Sequence, residues 1–347
     1  MLKTIELFGF KSIREMRLDL KQINVLIGAN GAGKSNLFEI LKLLKSIQDN
    51  RLQFYIGQAG GANSLLHYGS NVTKQISANF CFELDQVLTW YKLQFSEAPI
   101  DTLIFAKENI ELPKEKQEFG MGHKESDPNF SIADVAHYGI FQFHNTATMR
   151  GNCNINNNYY LINDGSNLAA VLYKLKQRQF PYYERIIYTI RQIAPFFNDF
   201  ILEPLALNPN YIQLKWQSCY SPYEFGPHQL SDGSLRTMAL ITLLLQSESD
   251  LPSLIALDEP EIGLHPYAIN IIASLIQTAS VHTQIILATQ SSTFLDHFNP
   301  SDIIVVEQQN GISCFKHLVP DSLNEWLEEY TLSELWEKNV LGGRPTQ

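Results

Sequence analysis

An α/β fold with its chemistry at the ends of buried strands is what this 347-residue sequence predicts, and three stretches predict it. Ile23-Asn-Val-Leu-Ile27 is an apolar, β-branched run followed by the glycine-rich turn Gly28-Ala29-Asn30-Gly31-Ala32-Gly33-Lys34-Ser35-Asn36, and Leu37 to Lys45 then has helical spacing. Leu254-Ile-Ala-Leu-Asp258-Glu259-Pro260 is a second apolar strand, ending in two carboxylates. Leu230-Ser231-Asp232-Gly233-Ser234 leads straight into the apolar helix Leu235 to Leu245.

The glycine-rich turn fits G-x-x-x-x-G-K-[ST] without a mismatch and lies on the strand-to-helix turn that this pattern requires. Its glycines let successive N–H groups face one concavity, where phosphates sit against the positive end of the next helix. In that setting Lys34 neutralises the β- and γ-phosphates of ATP and the Ser35 hydroxyl holds Mg²⁺. Asp258 is placed to reach the Mg²⁺ shell, and Glu259, directed differently, to polarise an attacking water. Ser231 and Gly233 at a helix start read either as an ordinary N-cap or as a second anion site; the order of the three motifs favours the second.

In chain order, Leu2 to Phe8 and Met16 to Leu20 alternate as strands and form a hairpin that leads into the phosphate-loop strand. Its turn, Gly9-Phe10-Lys11-Ser12-Ile13-Arg14, carries two cations that lie against the nucleotide or are solvated. Gly57 to Asn63 reads as a loop. Lys74 to Glu83, Trp90 to Phe95 and Asp101 to Glu111 read as a meander added to the core sheet, and Pro113 to Phe130 as an exposed, mobile loop. Asn152 to Asn158 suits turns. Asp164 N-caps a short helix to Lys176, and Tyr182 to Ile193 forms a second, stopped by Pro195. Asp302 to Glu307 is the last core strand. The acidic end, Asp321 to Leu341 with Trp326 and Trp336, is ordinary helix or a partner-docking segment.

Composition narrows the class. Apolar residues make up 45% of the chain, ample for a core, and no apolar run reaches the roughly 18 residues of a membrane helix. The amino end lacks a signal-peptide layout, so a cytoplasmic protein without a membrane partner is expected. Cys81, Cys153, Cys219 and Cys314 stand far apart, which indicates neither a zinc cluster nor a disulfide framework. A net charge of −10 argues against general coating of duplex DNA. The local surplus of four positive charges in residues 1–51 either surrounds the nucleotide or forms a DNA-binding face.

With these motifs in order, the chain resembles the ABC-type ATPases of the RecF/SMC/OLD-like branch. Gly28 to Asn36 looks like their Walker A with its trailing asparagine, Ser231 to Ser234 like their signature, Ile255 to Glu259 like their Walker B, and Phe8 to Ile13 like their phenylalanine-lysine-serine turn. Glu261 to Pro266 falls at their D-loop, and the Asp164-Gly-Ser-Asn-Leu-Ala169 segment occurs in short, armless members of phage-defence or toxin-like operons. The resemblance implies a single ABC-type ATPase (P-loop NTPase) head with an antiparallel β-meander, a small helical insertion and no long coiled coil. Its sections are expected at 1–111, 112–210, 211–320 and 321–347.

It further implies a homodimer in which ATP lies between Asn30 to Asn36 of one copy, with Lys11 and Arg14 nearby, and Ser231 to Ser234 of the other. The dimer would switch a separately encoded effector such as a nuclease or toxin, in anti-phage defence; the alternative is a RecF-like repair ATPase that binds DNA. Two positions depart from the family. Asp232 stands where a second glycine is more common. Gln290 stands at the histidine switch, where it can orient water but carries no charge, so slow hydrolysis is expected. Gln58 is a Q-loop candidate on loop composition alone. The 55 residues after the switch are expected to be too few for a nuclease domain.

Overall fold

The structure, a computed structural model, describes residues 1–113, 115–119, 121–126, 137–319 and 323–343. The chain runs β1 (Leu2–Phe10), β2 (Ile13–Asp19), β3 (Ile23–Ile27), α1 (Lys34–Gln48), α2 (Leu52–Gln58), α3 (Ala62–Leu65), β4 (Gln75–Leu84), β5 (Val87–Ala98), β6 (Thr102–Leu112), β7 (Glu115–Glu118) and β8 (Tyr138–Phe141). It continues through the 3-10 turn Thr148–Arg150, β9 (Cys153–Asn154), α4 (Leu168–Arg178), α5 (Phe180–Ile193), β10 (Phe197–Ile201), β11 (Pro204–Leu205), β12 (Asn208–Ile212), β13 (Lys215–Ser218), β14 (Ser221–Phe225), the 3-10 turn Pro227–Gln229, α6 (Asp232–Leu244) and β15 (Leu254–Asp258). Then follow α7 (Pro266–Ala279), β16 (Gln284–Thr289), α8 (Ser292–Leu295), β17 (Ile303–Gln309), β18 (Ile312–His317), α9 (Asn324–Leu327) and α10 (Leu332–Glu337). Two compact units result: Met1–Tyr138 with Gln284–Gln347, and Gly139–Thr283. The sections 112–210 and 211–320 expected from the sequence each straddle these units.

In the first unit, β3 is held between two parallel strands. Thr289 of β16 pairs with Ile27, and Val305 of β17 also pairs with Ile27, while β18 returns antiparallel to β17. All six residues of β16 and the last four of β3 are buried, the near-continuous apolar signature of a parallel sheet covered on both faces. The polar Asn24 within β3 is fully buried, and its amide bonds the backbone of Lys21 and Ile285. Because β3 and β16 run in register, Gly28 and Gln290 leave the sheet side by side.

The β1–β2 hairpin forms as expected, but β4, β5, β6 and β7 extend it in the order β2-β1-β4-β5-β6-β7; the meander therefore does not add to the sheet containing β3. The register sets Leu2 and Ile5 of β1 opposite Phe82 and Phe80, in one buried layer with Phe95 and Phe105. Lys116 and its neighbours form an exposed strand against β6 where a mobile loop was expected. An open strand edge pairs backbone whatever the side chains are, and Lys116 to Glu118 is an ion pair at 2.7 Å. Residues 114, 120 and 127–130 of that expected loop lie outside the described residues.

In the second unit β8 neighbours β15, and two small antiparallel sheets, β10-β13-β14 and β11-β12-β9, flank the helices. The first helix of the insertion starts after Asn167, not at Asp164. Asp164 instead accepts from Ser166 N at 3.0 Å in a local turn, and the fully buried Asn167 amide ties Ile162, Asn157 and Tyr160 together. Among the described residues the longest helix is α1, at 15 residues, and no helix is long and apolar enough to cross a membrane.

Candidate functional site

Gly33 has φ 111°, which side chains rarely adopt, and a Cβ there would stand 2.1 Å from the Ser313 hydroxyl. Ser313 Oγ donates to Ala32 O at 2.6 Å and shares a 2.5 Å hydrogen bond with Ser12 Oγ, which accepts from Asn36 Nδ2 at 2.5 Å. The phenylalanine-lysine-serine turn, the trailing asparagine and β18 thus form one polar frame that fixes the curl of the loop. Sequence reading placed Ser12 and Asn36 in motifs but missed Ser313, because β18 was not recognised as a strand.

Lys34 is 6% exposed, and its ammonium lies inside the loop, donating to Gly28 O at 2.6 Å and Ala29 O at 3.1 Å. Such a buried cation suits a polyanion. Ser35, at the second position of α1, follows it. Lys11 Nζ is 3.4 Å from Glu39 on α1, and Arg14 is exposed on β2. Burial pushes the Glu39 carboxyl up, but Lys42, Lys11 and Tyr55 together outweigh burial and hold it below its ordinary range. The carboxyl end also reaches the loop: Ala29 N donates to Gly343 O at 3.1 Å, and Gly343 N to Glu307 at 2.9 Å, under the Trp336 ring. Gln290 is exposed at the end of β16, ahead of Ser291, which caps α8.

In the second unit, Asp258 ends β15 and accepts from Gln142 Nε2 at 2.9 Å. Gln142 directly follows β8, the strand end where α/β sheets place polar chemistry. Gln58 is exposed at the end of α2, and Gln142 is the glutamine whose amide bonds the Walker B-like acid. The four-residue strand before it was too short to show a period. Glu259 has φ 48°, a conformation costly for a side-chain-bearing residue, and His144 Nε2 lies 3.9 Å from its carboxylate. Arg236 donates to the carbonyls of Phe143, His144 and Ile262, and so ties this segment and the following turn to α6.

Ser231 caps α6, its hydroxyl accepting from Ser234 N at 3.1 Å. A Cβ on Gly233 would meet Gly263 O at 2.5 Å, so glycine is required for the D-loop-like turn to lie this close. Asp232 accepts from the Thr146 hydroxyl and from Arg150, 2.7 Å away, and these bonds hold its carboxyl below the usual range.

A phosphate loop on a parallel strand, a serine-capped helix start and an Asp-Glu strand end, on this α/β fold, define the head of an ABC-type ATPase of the RecF/SMC-like kind. The crystal structure of an Smc head bound to the C-winged helix domain of ScpA matches with a TM-score of 0.62 at 16% identity, over 93% of this chain and 99% of that one. An Smc head domain with an extended coiled coil, bound to the C-terminal domain of ScpA from Pyrococcus furiosus, matches with a TM-score of 0.61 at 15% identity, over 94% and 98%. The DNA replication and repair protein RecF of Crocosphaera subtropica is 45% identical over 51 residues, a match spanning 14% of this chain and 13% of that relative. Residues 23–85 and 92–296 match the family described as "AAA domain, putative AbiEii toxin, Type IV TA system", and the chain belongs to that family.

Proposed function

We propose that this chain binds and slowly hydrolyses ATP with Mg²⁺, and that ATP joins two copies into a dimer that switches a separately encoded effector. The exposed start of α6 carries the reading: Ser231 and Asp232 face solvent on a helix whose first N–H groups attract a phosphate held by another copy. Asn30 to Asn36 cradle the phosphates, with Lys34 as counter-charge; Ser35 and Asp258 hold the metal ion, Gln142 supports Asp258, and Glu259 activates water, with Gln290 positioning it. Motif order and family membership support these roles. Lys11, paired with Glu39, ties its turn to α1 next to the loop, and Lys11 and Arg14 lie near the nucleotide. Light scattering of a Glu259→Gln variant with ATP and Mg²⁺ tests the reading; a mass that stays monomeric refutes it.

The family description, with its toxin–antitoxin term, supports a defence setting with a nuclease- or toxin-like effector. The local likeness to RecF supports the second reading, ATP-dependent DNA binding in repair. Salt-dependent retention of duplex DNA only with ATP favours that second reading.

A further inference from the structure

Asp232 puts a carboxylate in the first turn of α6, beside the N–H groups that the proposed ATP sandwich assigns to a phosphate. Left alone, that charge repels the ligand. It is not alone. Arg150, at the end of the 3-10 turn Thr148–Arg150, has a side chain only 15% exposed, and its NH2 lies 2.7 Å from Asp232 Oδ1. The same guanidinium donates to Leu230 O from both terminal nitrogens, each at 3.0 Å, and to Pro227 O. Thr146, four residues earlier, donates its hydroxyl to the same carboxylate oxygen. The planar fork therefore grips the two carbonyls that lead into the signature and the acid inside it, a geometry that lysine cannot reproduce.

We infer that Arg150 is a positioning residue for the signature: it cancels the Asp232 charge and fixes residues 227–232, so that a helix start bearing an acid accepts the partner's ATP phosphate. The inference rests on the ATP-sandwich reading. It makes Asp232 and Arg150 one unit, replacing a neutral glycine by a neutralised pair. It also accounts for an aspartate that stands where a second glycine is more common.

The test compares Arg150→Met, Asp232→Asn and the double variant, each in the Glu259→Gln background, by sedimentation across an ATP titration at low and high salt. Binding of a fluorescent ATP analogue to the monomer serves as control. Arg150→Met is expected to raise the ATP concentration for half-dimerisation about tenfold, more at low salt than at high, with monomer binding unchanged. Asp232→Asn added to it should recover most of that loss, because the unpaired charge is gone. Should Arg150→Met not fold, Arg150→Lys carries the same comparison with a loss of about threefold. A parent that never dimerises overturns the sandwich and this inference together. A parent that dimerises while Arg150→Met matches it, or while the double variant shows no recovery, overturns the inference alone and leaves Arg150 a loop brace.

Discussion

Gly33 shows how little freedom single residues have in the phosphate loop. Its φ of 111° and the 2.1 Å approach of Ser313 to a hypothetical Cβ act together, so Gly33→Ala is expected to destabilise the protein by about 2 kcal/mol or more and abolish nucleotide binding. Adding Ser313→Ala removes the hydroxyl clash but leaves the Ser313 Cβ at 2.7 Å and the backbone strain, and thermal unfolding should show only partial recovery; full recovery would mean that neither carries a cost. Glu259, also at positive φ, is expected to lower turnover about 10²-fold or more as Glu259→Gln, read by phosphate release, with ATP still bound. Glu39 supplies a pH dependence. Its carboxyl titrates below the ordinary 4.5 when folded, so the unfolded chain binds more protons there. The stabilisation is therefore present above 4.5 and lost as pH falls through the lowered value. Melting curves should show wild type above Glu39→Gln near neutrality and the gap closing in acid; a gap constant down to about pH 3 contradicts this.

At the scale of elements, β18 braces the loop that β3 delivers. Ser12→Ala and Ser313→Ala each remove two hydrogen bonds of the frame that joins Asn36 to Ala32, each bond worth about 1 kcal/mol. Each is expected to weaken ATP binding severalfold with little change in the unfolding midpoint, measured by calorimetry; unchanged affinity in both variants would contradict a bracing role. The same element shows where sequence reading stops. Strands that end in motifs, β3 with α1 and β15 with its two acids, were legible because the glycine-rich turn and the paired carboxylates mark their ends. Strands without such a mark were not: Tyr138–Phe141 places Gln142, and Ile312–His317 places Ser313, yet neither ends in a recognisable motif. The meander was legible strand by strand but not in its attachment, because pairing to β1 is a long-range choice between open edges. Arg150 was invisible for the same reason, since its partners stand 77 to 82 positions away.

At the scale of the whole molecule, the chain belongs to a family of ATPases and shares its fold with Smc heads, and the proposal that remains is that ATP makes two copies one object. A triphosphate that touches both copies favours the dimer by its differential affinity for the two states, and hydrolysis removes that preference. On this proposal, slow turnover would set how long an effector sees the closed form. The most direct measurement is the mass of Glu259→Gln in solution with saturating ATP and Mg²⁺, beside the same protein with ADP. A doubled mass with ATP alone, lost again on Ser231→Arg, is the predicted result; one unchanged mass under both nucleotides contradicts the account.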